Sequence, residues 1–313
     1  LNKRSDSSES QSYVAGKSDI ETLPRIGFVL LAVLSLFWGF SWPIFKIVLR
    51  EIPPWTFRTY SSILAGLGVI ALLKAKGIRV AIPKEEFWPL FLVALLNITG
   101  WHLCSAYGVI YMKAGRAVII AYTMPVWASI MGTFILGERL TLASFVGLFF
   151  GIAGLMILIG PDVWSFESAP LGAIFMLGAS ISWAGGTIFI KYFHWTMPII
   201  VFTGWILFLG GIPIVIGTLI FDPITAIFQL SWRGALGLAY IVILGMIVSY
   251  WIWVKVIELF PTNIASIGML IVPIIGVFSS AFVLGEPIGF REIAALILVV
   301  TALGITMAKP KRS

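Results

Sequence analysis

The sequence predicts an all-α polytopic membrane protein of ten transmembrane helices, built as two inverted five-helix repeats. Three observations predict it. The 313 residues are 59% hydrophobic and only 11% charged, with a mean hydropathy of +1.03, whereas a soluble domain carries about 25% charge. Apolar runs near the ~20 residues that a bilayer requires recur along the chain. One of them, AVIIAYTMPVWASIMGTFILGE from Ala117 to Glu138, is written again as ASIGMLIVPIIGVFSSAFVLGE from Ala265 to Glu286, 148 positions later. Ala117, Ile119, Pro125, Phe134, Leu136, Gly137 and Glu138 recur as Ala265, Ile267, Pro273, Phe282, Leu284, Gly285 and Glu286. A period of half the chain is too long for a solenoid and reads as a duplicated membrane half.

Taken in order, residues 1–23 are polar, with six serines and mixed charge, and lack the short apolar core of a signal peptide. They read as a disordered cytoplasmic tail. The spans follow at 26–49, 55–73, 88–111, 116–136, 142–159, 171–190, 198–220, 232–254, 263–284 and 290–308. Short connections make neighbours mostly antiparallel, with turns at Pro53-Pro54, Lys113-Ala114-Gly115, 137–140, 160–169 and 285–289. Thr141 is placed to cap the fifth span.

Orientation follows from the cations. With the N-terminus inside, fourteen of the 21 Lys and Arg fall on the cytoplasmic side and seven on the other, Lys46, Arg50 and Arg58 among the latter. That bias puts both termini in the cytoplasm. It also accounts for the net charge of +7 without nucleic acid, for which no base-reading motif is present. Five spans per half is an odd number, so the second half enters the membrane upside down relative to the first. Trp38 and Lys46 in the first span align with Trp183 and Lys191 in the sixth, and Pro53 with Pro198.

All fourteen Asp and Glu lie in loops, the tail or helix ends. A carboxylate at mid-depth usually marks an ion or proton path, so a carboxylate-driven antiporter is disfavoured. His102, just past the middle of the third span, has two readings: a group that binds solute or takes a proton, and a neutral imidazole bonded to a neighbouring helix. Trp38 and Trp42 share a face of the first span, Asn97, Trp101 and Ser105 of the third, Ser180, Trp183 and Thr187 of the sixth, and Tyr250 and Trp253 of the eighth. Tyr122 precedes Pro125 by three residues. Mixed aromatic and hydroxyl faces suit a cavity for partly apolar organic solutes, while Trp55, Trp88 and Trp232 open spans and read as interfacial anchors. Pro125 and Pro273 each remove a backbone hydrogen bond, as hinges or static kinks. Glu138 and Glu286 stand before the fifth and tenth spans, where a carboxylate meets the positive helix end. Gly147, Gly151 and Gly154 allow close helix contact, within the chain or in a homodimer. The lone Cys104 forms no internal disulfide, and no metal-spaced Cys/His cluster exists.

These residues carry a resemblance. Trp38-Gly39 with Lys46, Pro53-Pro54 with Arg58, Ala114-Gly115-Arg116-Ala117, the run Ala121 to Trp127, and Leu136-Gly137-Glu138-Arg139-Leu140 resemble the EamA-domain family of the drug/metabolite transporter superfamily. Trp183-Ala184-Gly185, Ala265-Ser266, Pro273 and Leu284-Gly285-Glu286 carry it through the second half, where Pro287 replaces the basic residue that Arg139 supplies. The resemblance implies ten helices as two inverted repeats (24–160 and 170–308, joined by 161–169 and ended by a basic cytoplasmic C-terminus, 309–313) around a central cavity. Spans one, three, four, six, eight and nine face that cavity, and five and ten are peripheral. It implies transport of amino acids, other metabolites or toxic compounds, mostly outward.

The expectation is therefore a multi-pass transporter of the bacterial cytoplasmic (inner) membrane, not an enzyme and without a cofactor. It moves a small amino-acid-like or amphipathic metabolite by alternating access, in efflux or exchange. Trp38, Trp42, Asn97, Trp101, His102, Tyr122, Trp183, Thr187, Tyr250 and Trp253 are expected to contact the solute. The alternative is a multidrug exporter coupled to protons through His102. A passive channel would need a continuous polar ring, and a membrane enzyme would need a positioned catalytic set.

Overall fold

The computed structural model describes residues 25–137, 142–163, 169–259 and 271–307. The tail 1–23, Glu138, Thr141, the start of the ninth predicted span and the terminus 309–313 lie outside the described residues. Regular structure among the described residues is helical throughout. The helices are α1 (Arg25–Leu49), α2 (Pro54–Ala75), α3 (Phe87–Ala94), α4 (Trp101–Tyr111), α5 (Ala114–Ala121), α6 (Met124–Ile135) and α7 (Leu142–Val163). They continue as α8 (Ala169–Tyr192), α9 (Ile199–Phe221), α10 (Trp232–Tyr240), α11 (Ser249–Leu259), α12 (Ile271–Leu284) and α13 (Phe290–Met307). Helix α7 runs to Val163 and α8 begins at Ala169.

Seven helical stretches among the described residues are long and apolar enough to cross a membrane. They are Arg25–Leu49, Pro54–Ala75, Lys84–Tyr111, Ala114–Ile135, Leu171–Tyr192, Ile199–Phe221 and Trp232–Trp253. Large apolar side chains face outward along them and their neighbours; Phe134 is 83% exposed and Phe282 88%. Such a surface is unsuited to water and matches hydrocarbon.

Two of these stretches contain a wide π-helical segment: Leu95–Gly100 joins α3 to α4, and Ile241–Val248 joins α10 to α11. A third is broken. The turn at Tyr122-Thr123 separates α5 from α6, and Pro125 sits in the first turn of α6, where a missing N–H costs nothing. The sequence reading placed Pro125 inside a continuous helix as hinge or kink; the bend lies two residues earlier. Pro273 is buried in the first turn of the described part of α12. Pro43 of α1 and Pro213 of α9 lie well inside their helices.

Helix α2 lies along α9. Asp222 accepts from the backbone N–H of Trp55 and Thr56 at 2.9 and 3.3 Å, the Thr59 and Thr218 hydroxyls meet at 2.7 Å, and Gly204 faces Val69 and Ile70. Residue numbers rise on one helix as they fall on the other, so the pair is antiparallel. The same holds for α4 and α8, where Gly172 meets Met112, Gly108 meets Met176, Gly178 meets Cys104, and Ser182 donates to the Leu96 carbonyl at 2.7 Å. Helix α1 packs against α12 and against the stretch from α10 to α11, while α5 and α6 pack on α8. Helices α7 and α13 pair with each other. Gly154 faces Ala295 and Val299 there, and Gly151 faces Val126 of α6, so those two small residues are occupied within the chain.

Candidate functional site

A cavity of about 110 Å³ opens among the helices. Roughly 10–15 Å³ on this scale holds one water, so the space suits a small organic solute. Helix α1 contributes Trp38, Ser41, Trp42 and Phe45; α2 contributes Arg58; α4 contributes Trp101 and His102. Tyr122 comes from the break before α6, Met124 from the start of α6, Trp183 from α8, and Ile241, Gly245, Met246 and Tyr250 from the wide segment and α11.

The spacing of four that puts Trp38 and Trp42 on one face of α1 delivers both indoles here. The rings then form a chain of edge-to-face contacts. Trp183 meets Trp101 at 5.1 Å, Trp101 meets Trp42 at 6.4 Å and 86°, and Trp42 meets Phe45 at 5.9 Å. Such pairs contribute about 0.5–1.5 kcal/mol beyond their burial, which holds the wall in place. Trp38 Nε1 donates to the Gly245 carbonyl at 3.1 Å, so its polar tip is satisfied and its ring is left for the cavity.

The polar end of the site is built around Arg58. Its Nε donates to the His102 carbonyl at 3.0 Å and its Nη2 to Ser105 Oγ at 2.9 Å. The guanidinium carbon lies 4.3 Å from the Phe45 ring centre and 4.6 Å from that of Phe57. His102 Nδ1 shares a 2.8 Å hydrogen bond with Ser62 Oγ of α2. Polar residues of α2 and the imidazole of α4 therefore meet inside the membrane-spanning region, where each needs a partner.

Seven of the ten residues expected at the solute line this cavity: Trp38, Trp42, Trp101, His102, Tyr122, Trp183 and Tyr250. Three do not. Asn97 is buried against Gly186, and its Oδ1 has no hydrogen-bond partner among the described residues. It lies in the π-helical segment and, like Trp101, faces α8, but at Gly186 rather than at the cavity. Thr187 donates back to the Trp183 carbonyl of its own helix at 2.9 Å. Trp253 stands behind Trp38, ring centres 6.1 Å apart, beside Leu31 and Leu34.

Glu286 also departs from its expected place. Its carboxylate accepts from Ala114 and Gly115 N–H at 2.8 and 3.0 Å, the first turn of α5. The start of α13 is served instead by Glu292, which accepts from Gly289 N–H at 2.9 Å and from Arg116 Nε at 2.7 Å. Arg58, counted from the sequence with the cations of the non-cytoplasmic side, is 1% exposed and inside α2. The available signal was its position within a run of Thr56, Thr59, Ser61 and Ser62, polar residues that an apolar span tolerates only when they face protein.

The model of the EamA-like transporter family matches residues 25–160 and again 170–308. The chain belongs to the EamA-like transporter family. Relatives of this EamA-like chain include the probable amino-acid metabolite efflux pump of Escherichia coli, 27% identical over 89% of this chain and 94% of that protein. The corresponding Salmonella typhimurium pump is 26% identical over 90% and 94%. The uncharacterized transporter YoaV of Bacillus subtilis is 24% identical over 87% and 94%. A crystal structure sharing 17% identity superposes with a TM-score of 0.64 over 90% of this chain and 96% of its own, a likeness of fold. The EamA-like chain is thus a multi-pass membrane transporter with bacterial transporter relatives.

Proposed function

We propose that this transporter works in the bacterial inner membrane by alternating access, with ten spans, cytoplasmic termini and two flipped five-helix halves, 24–160 and 170–308. It carries a small amino-acid-like or amphipathic metabolite in efflux or exchange. The observation that carries this reading is the aromatic cavity whose walls come from both halves of the sequence, from Trp38 to Met124 and from Trp183 to Tyr250.

Several features support the flipped duplication. The antiparallel pair α2–α9 joins the second predicted span of one half to the second of the other, as a twofold axis in the membrane plane requires. The α7–α13 pair joins the two fifth spans. The contact of α8 with α4 corresponds to that of α1 with the α10–α11 stretch, and the contact of α1 with α12 to that of α8 with α5 and α6. The wide segments begin at Leu95 and Ile241, 146 positions apart, close to the repeat. Gly137 and Gly285 close the repeated run with φ of +66° and +68°, a conformation that favours glycine.

In this mechanism the indole walls hold the apolar part of the solute, and His102 and the hydroxyls meet its polar end. The cavity lining contains no carboxylate among the described residues, so the driving step is exchange or downhill flow. The names of the two efflux pumps supply the amino-acid class. Proteoliposomes preloaded with unlabelled solute are expected to show counterflow that saturates; uptake linear in solute would indicate a channel. Uptake is expected to be unchanged by a pH gradient in the wild type, and His102→Ala is expected to lower the rate equally with and without it. A gradient-stimulated rate lost in His102→Ala would instead establish proton coupling.

A further inference from the structure

We propose that Arg58 is the anion-binding residue of the cavity and that the solute carries a single negative charge, an organic carboxylate, beside an apolar body. The inference rests on the transport reading above for the word solute and narrows it to the amphipathic option, against a zwitterionic amino acid.

Arg58 is among the largest fully buried side chains of the protein and lines the aromatic cavity. Both groups to which it donates, the His102 carbonyl and the Ser105 hydroxyl, are neutral. Among the described residues no carboxylate lies within ion-pairing distance of it, and no lining residue is acidic. A guanidinium has five N–H donors in a planar fork. Nε and Nη2 hold α4, while Nη1 makes no hydrogen bond among the described residues.

A buried cation without a counter-ion is strongly disfavoured. The rings of Phe45 and Phe57 offset part of that cost, and the rest is relieved when an anion enters. A carboxylate fits the free edge of the fork with charge-assisted hydrogen bonds. An ammonium group finds the reverse: the same cation in front of it and no acidic partner on the walls. The site should therefore rank an anion above a zwitterion of the same shape, and a cation last.

The matched probes are 3-phenylpropionate, phenylalanine and phenethylamine, which share a ring and a chain length, together with the neutral 3-phenylpropanamide. Binding to the full-length protein in detergent is followed by tryptophan fluorescence and thermal shift, and transport by counterflow in proteoliposomes. The wild type is expected to bind 3-phenylpropionate at least about tenfold more tightly than the amide or phenylalanine, with phenethylamine weakest. Arg58→Gln is expected to abolish the advantage of the anion over the amide, whatever its effect on the affinity for the amide itself. Arg58→Lys should restore part of it.

Equal binding of all four probes by the wild type, or a preference for phenethylamine, overturns the proposal without any variant. Equal loss of anion and amide in Arg58→Gln also overturns it and leaves Arg58 a structural tie between α2 and α4. Chloride and phosphate are expected not to displace 3-phenylpropionate; displacement by either at comparable concentration would assign the site to an inorganic ion and overturn the organic-carboxylate reading. Saturable counterflow with a flat charge ranking would sink this inference and spare the transport reading. Anion-selective binding without counterflow of any probe would do the opposite.

Discussion

Alanine at Gly66 is expected to unfold much of this protein at temperatures the wild type survives, while alanine two residues later, at Gly68, is expected to be harmless. Both glycines lie in α2, and both gain about 1 kcal/mol of helix propensity on becoming alanine. Their surroundings differ. A Cβ at Gly66 would stand 2.6 Å from Phe208 N and 2.9 Å from Phe208 Cα. Those are backbone atoms of α9, and the antiparallel seam can relieve the overlap only by moving apart along its length. A Cβ at Gly68 would meet the Cδ1 of Ile247 at 2.6 Å, the tip of a side chain that can rotate away. Overpacking typically costs about 1–3 kcal/mol, and a backbone collision belongs at the upper end. Melting of the purified proteins in detergent, followed by size-exclusion profile, checks the pair. Gly66→Ala should melt well below the wild type and Gly68→Ala within ~0.5 kcal/mol of it. Equal behaviour would mean that α2 and α9 are not held at this distance.

Lys46→Met is expected to destabilise the protein by a comparable amount. Helix α4 ends at Tyr111 and α5 begins at Ala114, and the break leaves carbonyls on one side and amides on the other without partners in their own helices. Side chains from elsewhere in the chain fill both roles. Lys46 of α1 donates to the carbonyls of Val109, Ile110 and Met112, and Glu286 accepts the two amides at the start of α5. Hydrogen bonds to a charged group contribute roughly 1.5–3 kcal/mol each. Methionine keeps the apolar stem and removes all three donors, so a loss of ~3 kcal/mol is expected. Glu286→Gln keeps one acceptor oxygen and should cost less, about 1–2 kcal/mol. The same melting experiment reads both. An unchanged midpoint for Lys46→Met would show that water reaches those carbonyls.

How much of this was legible beforehand depended on whether a feature is local. Span positions follow from a run of apolar residues, and Trp38 and Trp42 fall on one face because four residues nearly complete a helical turn. Asn97 shares a face with Trp101, yet it is buried against Gly186 rather than at the cavity, which only the close approach of α8 decides. Trp253 shares a face with Tyr250, yet only the packing of Trp38 decides which ring reaches the cavity. Arg58 was counted with the outer-side cations although it falls in the span 55–73, because positive-inside counting takes every Lys and Arg as solvated. The capping of α5 by Glu286, 171 positions away, is a long-range pairing that a reading of adjacent helix starts cannot find.

The flipped duplication is tested most directly by which side of the membrane two corresponding turns face. Arg50, before Pro53, and His194, before Pro198, occupy matching turns of the two halves, and both are exposed. In a Cys104→Ala background, Arg50→Cys and His194→Cys are treated in intact cells with a membrane-impermeant maleimide, then again after permeabilisation. The account predicts labelling of Arg50→Cys in intact cells and of His194→Cys only after permeabilisation. Labelling of both from the same side would contradict it.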